Sequence, residues 1–317
     1  MVLDHIADDF RDGGTRAGLF ESWARARFGD FRALRVLATA HRLVLDRRAP
    51  RLAIHYPSVG GIAPTYGDAA VIGRALDEVL SERGQEFRLG MAEVPQTNEP
   101  GRSAPLRRVL ASIQPTRPIH LREIGASAGL NLLADRNDVA NDGLTIDTVA
   151  SRRGCDVNPI DISTTAGRLR LTSYVWADDV VRLERLRRAF EVAAVTPPDV
   201  EAMDAVDFVR TIRVESNSAL VIWHSAVWFY LAPDQRRAVL SAIDALGAVA
   251  SPTTPVIHAC WELPSDGGGR DATGFSLAVR QWSGGPDDGV SRIWGSGPPH
   301  GVPFRAESPP QLTAPNS

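Results

Sequence analysis

The sequence predicts an α/β fold in which a mainly parallel, Rossmann-like sheet follows a helical N-terminal region. Three observations predict it. Helical periodicity without strand patterning fills the first 115 residues; from Pro118 short apolar runs alternate with helical stretches; and the composition is that of an ordinary folded chain. With 317 residues, 44% hydrophobic and 23% charged, the chain is long enough for about two domains of roughly 150 residues, or one large domain with an added layer.

In the N-terminal region, Leu19, Phe20 and Trp23 recur at helical spacing, and Phe31, Leu34, Val36, Leu37, Leu43 and Val44 form a second amphipathic set with arginines on the opposite face. Tyr56-Pro57-Ser58-Val59-Gly60-Gly61 is turn chemistry, after which a helix is expected over 69–80. Ser103 is a plausible N-cap for a helix to about Ile113, with Pro105 tolerated in its first turn. Strands are then expected at 119–124, 149–157, 200–203, 219–223 and 255–260, with helices at about 129–136, 178–194 and 233–247 between them. The apolar runs 275–282 and 290–294, separated by Gly284-Gly285-Pro286-Asp287-Asp288-Gly289, read as a hairpin. The expected organisation is a helical region at 1–115, the α/β domain at 116–304 and a Pro-rich disordered tail at 305–317.

Composition excludes several chemistries. All 35 basic residues are arginine, so there is no lysine for a Schiff base, a P-loop or kinase-type phosphate pairing. Cys155 and Cys260 are too few for a four-cysteine zinc or iron–sulfur site or a disulfide framework. No histidine spacing matches a metal motif, so no metal is expected. A balance of 35 basic against 38 acidic residues gives no field for collecting nucleic acid or membrane, and the tryptophans have no basic interleaving. With no signal-like or membrane-spanning segment, a cytoplasmic protein acting on a small molecule is expected.

The richest stretch is Glu123-Ile124-Gly125-Ala126-Ser127-Ala128-Gly129-Leu130-Asn131, at an expected strand-to-helix turn. Two functional readings fit it. In the first, Glu123-x-Gly125-x-x-x-Gly129 has the acidic and glycine spacing of S-adenosylmethionine-dependent methyltransferases, with Ser127 where many have a middle glycine. Asp156 after the second strand would accept ribose hydroxyls, and Asp204 after the third would meet the adenine amine. His224, at the end of the fourth, is a candidate base beside Trp223. Asn98, Glu99 and Arg102 concentrate polar groups suited to orienting a substrate.

In the second reading, Gly125-Ala126-Ser127-Ala128-Gly129 satisfies the G-x-S-x-G nucleophile elbow, with Asp204 and then His224 or His258 following in triad order. The helical character of the first 115 residues disfavours it, because that fold places strands before its nucleophile. Each candidate also has a purely structural explanation: glycines for packing, Asp204 as a helix cap, His224 as a satisfied core histidine. A third reading is a ligand-binding module that keeps a methyltransferase-like fold without turnover.

The series His41-Arg42-Leu43, Tyr56-Pro57-Ser58-Val59-Gly60-Gly61, Gln96-Thr97-Asn98-Glu99, Glu123 to Asn131, Arg153-Gly154-Cys155-Asp156, Ser173-Tyr174-Val175-Trp176 and Trp223-His224-Ser225 resembles an uncharacterised bacterial family, the domain of unknown function numbered twenty-three thirty-two. The resemblance runs from about Leu3 to about Gly301 and implies no established activity. Phe229, where the family pattern has a polar glutamine, and a short stretch after Asp135 depart from it. The combined expectation is methyl transfer from S-adenosylmethionine to a small polar substrate. Glu123, Gly125, Ser127, Gly129, Asp156 and Asp204 would hold the cofactor and His224 would serve as base. Tyr56, Asn98, Glu99, Arg102 and Trp223 would lie on the substrate side.

Overall fold

In a computed structural model, the structure describes residues 31–63, 65, 69–113, 117–137, 142–146, 149–264 and 274–307. The expected helix around Leu19, Phe20 and Trp23 and the last ten residues of the expected tail lie outside the described residues. The chain forms two compact units, Met1–Thr97 with Ile162–Arg187, and Asn98–Asp161 with Arg188–Ser317.

The first unit is helical. Helix α1 (Arg32–Leu45) buries Val36, Ala40, Leu43 and Val44, spaced to share one face, and packs on α2 (Ala69–Ala92). α2 runs twelve residues past the expected end and absorbs a kink at Arg83, whose φ of −134° is non-helical. The turn at Pro57–Val59 is a 3₁₀ helix. Helix α3, in the second unit, covers Ser103–Leu110 and stops three residues before the expected Ile113. Back in the first unit, α4 (Thr165–Ser173) was not expected from periodicity; its signal is Thr164, whose Oγ1 accepts the Gly167 N–H at 3.0 Å as an N-cap.

At the centre of the helical unit His41 ties three segments together. Its Nδ1 faces the Val175 and Ser173 carbonyl oxygens at 3.0 and 3.3 Å, so Nδ1 carries the hydrogen, and Nε2 accepts from the Ser58 hydroxyl at 2.8 Å. Ser58 in turn donates its N–H to Ala177 O. Burial pushes the His41 pKa down to about 4, outweighing the carbonyl contacts.

The second unit is the α/β unit. Its strands are β1 (Ile119–Ile124), β2 (Val149–Asp156), β3 (Val200–Ala202), β4 (Ala219–Ser225), β5 (Val256–Glu262), β6 (Phe275–Trp282), β7 (Ser291–Gly297) and β8 (Arg305–Ala306). They form one sheet in the order β3-β2-β1-β4-β5-β6-β7-β8. The first five are parallel, and β6, β7 and β8 add an antiparallel meander. This is a Rossmann-like arrangement, with chain order reversing between β1 and β4. Helix α5 (Val180–Val195) begins in the helical unit and ends in this one; α6 (Ala205–Thr211) and α7 (Pro233–Gly247) complete the helices.

Two expected details change. The helix expected at 129–136 is only a 3₁₀ turn, Leu130–Leu133, because Gly129 enters it in the left-handed region and Leu130, Leu132 and Leu133 are buried together, leaving no solvent face for an amphipathic helix. Arg305–Ala306, where the tail was expected to begin, still pairs with Ser296 and Gly295 as an edge strand.

Alternation sorts the sheet into two faces. Leu121, Val221, Trp223, Ala259 and Trp261 pack with Leu106, Val109 and Leu110 of α3 on one side. Ile124, Leu220, Ile222 and Val256 pack with Phe208, Val209, Val239 and Ile243 of α6 and α7 on the other.

Candidate functional site

The carboxyl ends of β1, β2, β4 and β5 gather the α/β unit's polar residues, and the reversal between β1 and β4 is where open α/β sheets leave a ligand crevice. Glu123 stands near the end of β1, level with Trp223 on β4, and alternation sends both toward the α3 face. Glu123 is 1% exposed. Burial drives its carboxyl well above the usual carboxylate range, more than the nearby Arg102 guanidinium and a hydrogen bond from Asn131 bring it down.

Several polar atoms here are buried with no hydrogen-bond partner: Glu123 Oε2, Ser127 Oγ, Asn131 Oδ1 and Trp223 Nε1. A native interior leaves few such atoms, so four within Glu123–Asn131 and the neighbouring strand mark an unfinished polar surface. Asn131, quoted in the motif but not singled out as a site residue, was missed by sequence reasoning, as was Glu262. The signal for Asn131 was the polar position within the otherwise apolar run Leu130-Asn131-Leu132-Leu133.

The loop itself is held by its neighbours. Asp156 accepts the Ser127 N–H through Oδ2 and the Asn158 N–H through Oδ1, both at 2.9 Å. Asn98 Oδ1 accepts the Leu130 N–H at 2.8 Å, Glu99 accepts the Gly101 N–H at 3.0 Å, and Arg102 donates to Pro299 O at 3.1 Å. The structure therefore brings Asn98 and Arg102, distant in sequence, to the Glu123–Asn131 stretch. Tyr56 belongs to the helical unit.

Gly125 and Gly129 have φ of 68° and 77°, which L side chains rarely adopt. A Cβ on Gly125 would come within 2.5 Å of Val227 Cγ2, and one on Gly129 within 2.6 Å of Pro198 Cβ. These glycines thus serve close packing of the loop against its own unit. Asp204 caps α6, its Oδ1 accepting the Val206 and Asp207 N–H groups at 2.9 and 3.1 Å, and these bonds lower its pKa.

His224 shares the opposite face of the sheet with His258 and Glu262. Its Nδ1 donates to Glu262 Oε1 at 2.9 Å and its Nε2 meets His258 Nε2 at 3.1 Å, while Trp228 stacks on the ring at 4.7 Å. Glu262 Oε1 also accepts the Val227 and Trp228 N–H groups at 3.0 and 3.3 Å, pinning the loop after β4. Burial and the neighbouring His224 hold His258 well below the ordinary histidine range, so His258 is neutral, and the two rings share one hydrogen across the Nε2–Nε2 contact.

Ser127 has a left-handed backbone, φ 55°, but neither His224 nor His258 hydrogen-bonds its Oγ, so the contact that would activate a serine nucleophile is not made. Among the described residues no group of three or more His, Cys, Asp or Glu side chains is arranged to hold a metal ion, and no helix is long and apolar enough to cross a membrane.

Among solved structures, the chain is similar to a crystal structure of an S-adenosylmethionine-dependent methyltransferase from Clostridium acetobutylicum, at 7% identity and a TM-score of 0.26, covering 69% of this chain and 78% of that one. So loose a superposition identifies neither a site nor an activity. No curated protein matches the sequence. The family model described as "Uncharacterized protein conserved in bacteria (DUF2332)" matches residues 1–146 and 137–305, and the chain belongs to that bacterial family.

Proposed function

We propose that the α/β unit binds S-adenosylmethionine at the β1/β4 reversal and that the protein transfers its methyl group to a small polar substrate. The observation that carries the reading is the set of buried, unpartnered polar atoms on Glu123, Ser127, Asn131 and Trp223 beside the carboxyl ends of parallel strands. These groups fit the cofactor's amino-acid end. An ammonium would give Glu123 Oε2 and Asn131 Oδ1 the donors they lack. Asp156 would accept ribose hydroxyls, and Asp204 would border the base while still capping α6.

The bound cofactor supplies an activated methyl group, whose transfer depends chiefly on alignment. The chain's own part is to align. Glu123 fixes the ammonium, Asn98 holds the turn at Leu130, and Arg102 contributes positive charge beside Glu123. We assign His224 a positioning role: with Glu262 and His258 it fixes the loop through Val227 and Trp228. Because burial pushes the Glu123 carboxyl toward its protonated form, pairing with an ammonium would favour loss of the proton, so affinity should rise with pH through that titration.

Calorimetric titration with S-adenosylmethionine and S-adenosylhomocysteine, in two buffers of different ionisation enthalpy, tests this. Saturable binding with proton release, lost in Gly125→Arg and without proton release in Glu123→Gln, is the expected result. No binding at millimolar ligand would overturn the reading. The left-handed Ser127 favours a second reading, a nucleophile elbow storing backbone strain. Covalent labelling of Ser127 by a fluorophosphonate would establish that reading instead.

A further inference from the structure

The helical unit holds a half-open cavity of about 220 Å³ that the proposed methyl-transfer site does not use. Three segments singled out in the sequence meet around it: the one containing His41, the turn containing Tyr56 and Pro57, and Ser173 to Asp178. Most of its wall is apolar, supplied by side chains such as Leu37, Ile72 and Val175.

Three polar groups on the wall stand apart. Tyr56 is 8% exposed, no hydrogen bond joins its hydroxyl to the described residues, and burial raises its pKa to about 12. The Asp178 carboxylate and the His55 ring also line the cavity without a partner among the described residues. By contrast both His41 nitrogens are occupied, so His41 shapes the wall without being available to a ligand.

We infer that this cavity is a binding site for a small aromatic amine of phenethylamine size, its ring in the apolar part and its ammonium at Asp178. The size follows from volume: an apolar cavity of about 150 Å³ accommodates benzene, so 220 Å³ leaves room for a ring and a short tail. The charge follows from the donors needed. Asp178, an exposed carboxylate among the lining residues, only accepts, and an ammonium gives it a charge-assisted bond while leaving a hydrogen for the Tyr56 oxygen. Trp176, which lines the cavity and is 54% exposed, offers a ring face to the same cation. An acid of the same shape would meet Asp178 with repulsion. The site stands independently of the cofactor reading, since all its residues lie in the helical unit.

The test is calorimetric titration of the full chain with phenethylamine, 2-phenylethanol and 3-phenylpropionate, on wild type and on Asp178→Asn and Tyr56→Phe, each checked for an unchanged melting midpoint. Saturable amine binding, about fivefold or more weaker for the alcohol and undetectable for the acid, is expected. Asp178→Asn should cost the amine about tenfold and the alcohol little, and Tyr56→Phe should weaken both. Absence of saturation with the amine at 10 mM, equal binding of amine and acid, or binding that survives both substitutions would overturn the inference.

Discussion

The α/β unit buries two polar clusters on opposite faces of one sheet, and they differ in completeness. On the face toward α6 and α7, Glu262 Oε1 serves His224 and two backbone N–H groups, and His224 closes the chain to His258. Among the described residues on that face, only His258 Nδ1 is buried without a partner. On the face toward α3, Glu123, Asn131 and Trp223 each leave a buried polar atom unpaired, and so does Ser127 in the connecting loop. A completed network holds a fold together; an incomplete one costs stability and persists where a ligand completes it. The difference is the reason to assign His224 to the scaffold and Glu123 to the ligand.

The largest effect is expected of Glu262→Ala. It strands the His224 Nδ1–H, the Val227 N–H and the Trp228 N–H, and should cost about 3–5 kcal/mol in urea unfolding. A cost below 1 kcal/mol would show that the cluster is not a structural network.

A third buried histidine extends the rule to the helical unit. His41, fully bonded and pushed down to about 4, stays neutral in the folded chain while the unfolded chain takes up a proton near 6.5. Its contribution is therefore intact above pH 6.5 and lost as pH falls from there to about 4, amounting to about 3 kcal/mol. Unfolding curves at pH 7 and pH 4.5 should show this loss, and His41→Gln should lessen it.

Asp204 lies between the two classes, named for the ligand by sequence and made a helix cap by the fold. Asp204→Ala should cost about 1 kcal/mol, whereas Asp204→Asn should retain the cap and so nearly full stability. If Asp204→Asn also retains cofactor affinity, the residue belongs to the scaffold alone.

The smallest expected stability effect is at Glu123. Its raised folded-state pKa means that its contribution is present below the ordinary carboxylate range and is lost as pH rises toward the raised value. Glu123→Gln should therefore lie within about 1 kcal/mol of wild type at pH 5 and gain on it at pH 8, measured by chemical denaturation. A large loss at both pH values would mean that Glu123 completes the core and waits for no ligand.

Much of the fold was legible because strands and helices report through local periodicity. The apolar runs at 119–124, 149–156 and 275–282 and the helix at Pro233–Gly247 fell where spacing placed them. The helix at Thr165–Ser173 did not, since with Arg168 and Arg170 inside it and only Gly167, Leu171 and Ser173 buried it has little apolar stripe, and only its cap announced it. The site was legible as a motif but not as an assignment of roles. Glycine spacing could not tell a ligand cradle from a close approach to Val227 and Pro198.

Sequence alone determined the class of the fold, the exclusion of lysine chemistry and the stretch in which a site would lie, because these depend on composition and short-range pattern. Tertiary structure decided which polar groups are spent and which are left over. That depends on partners far apart in the chain, such as Asn98 with Leu130 and His224 with Glu262, and on the alternation that sends Glu123 and His224, on neighbouring strands, to opposite faces of the sheet.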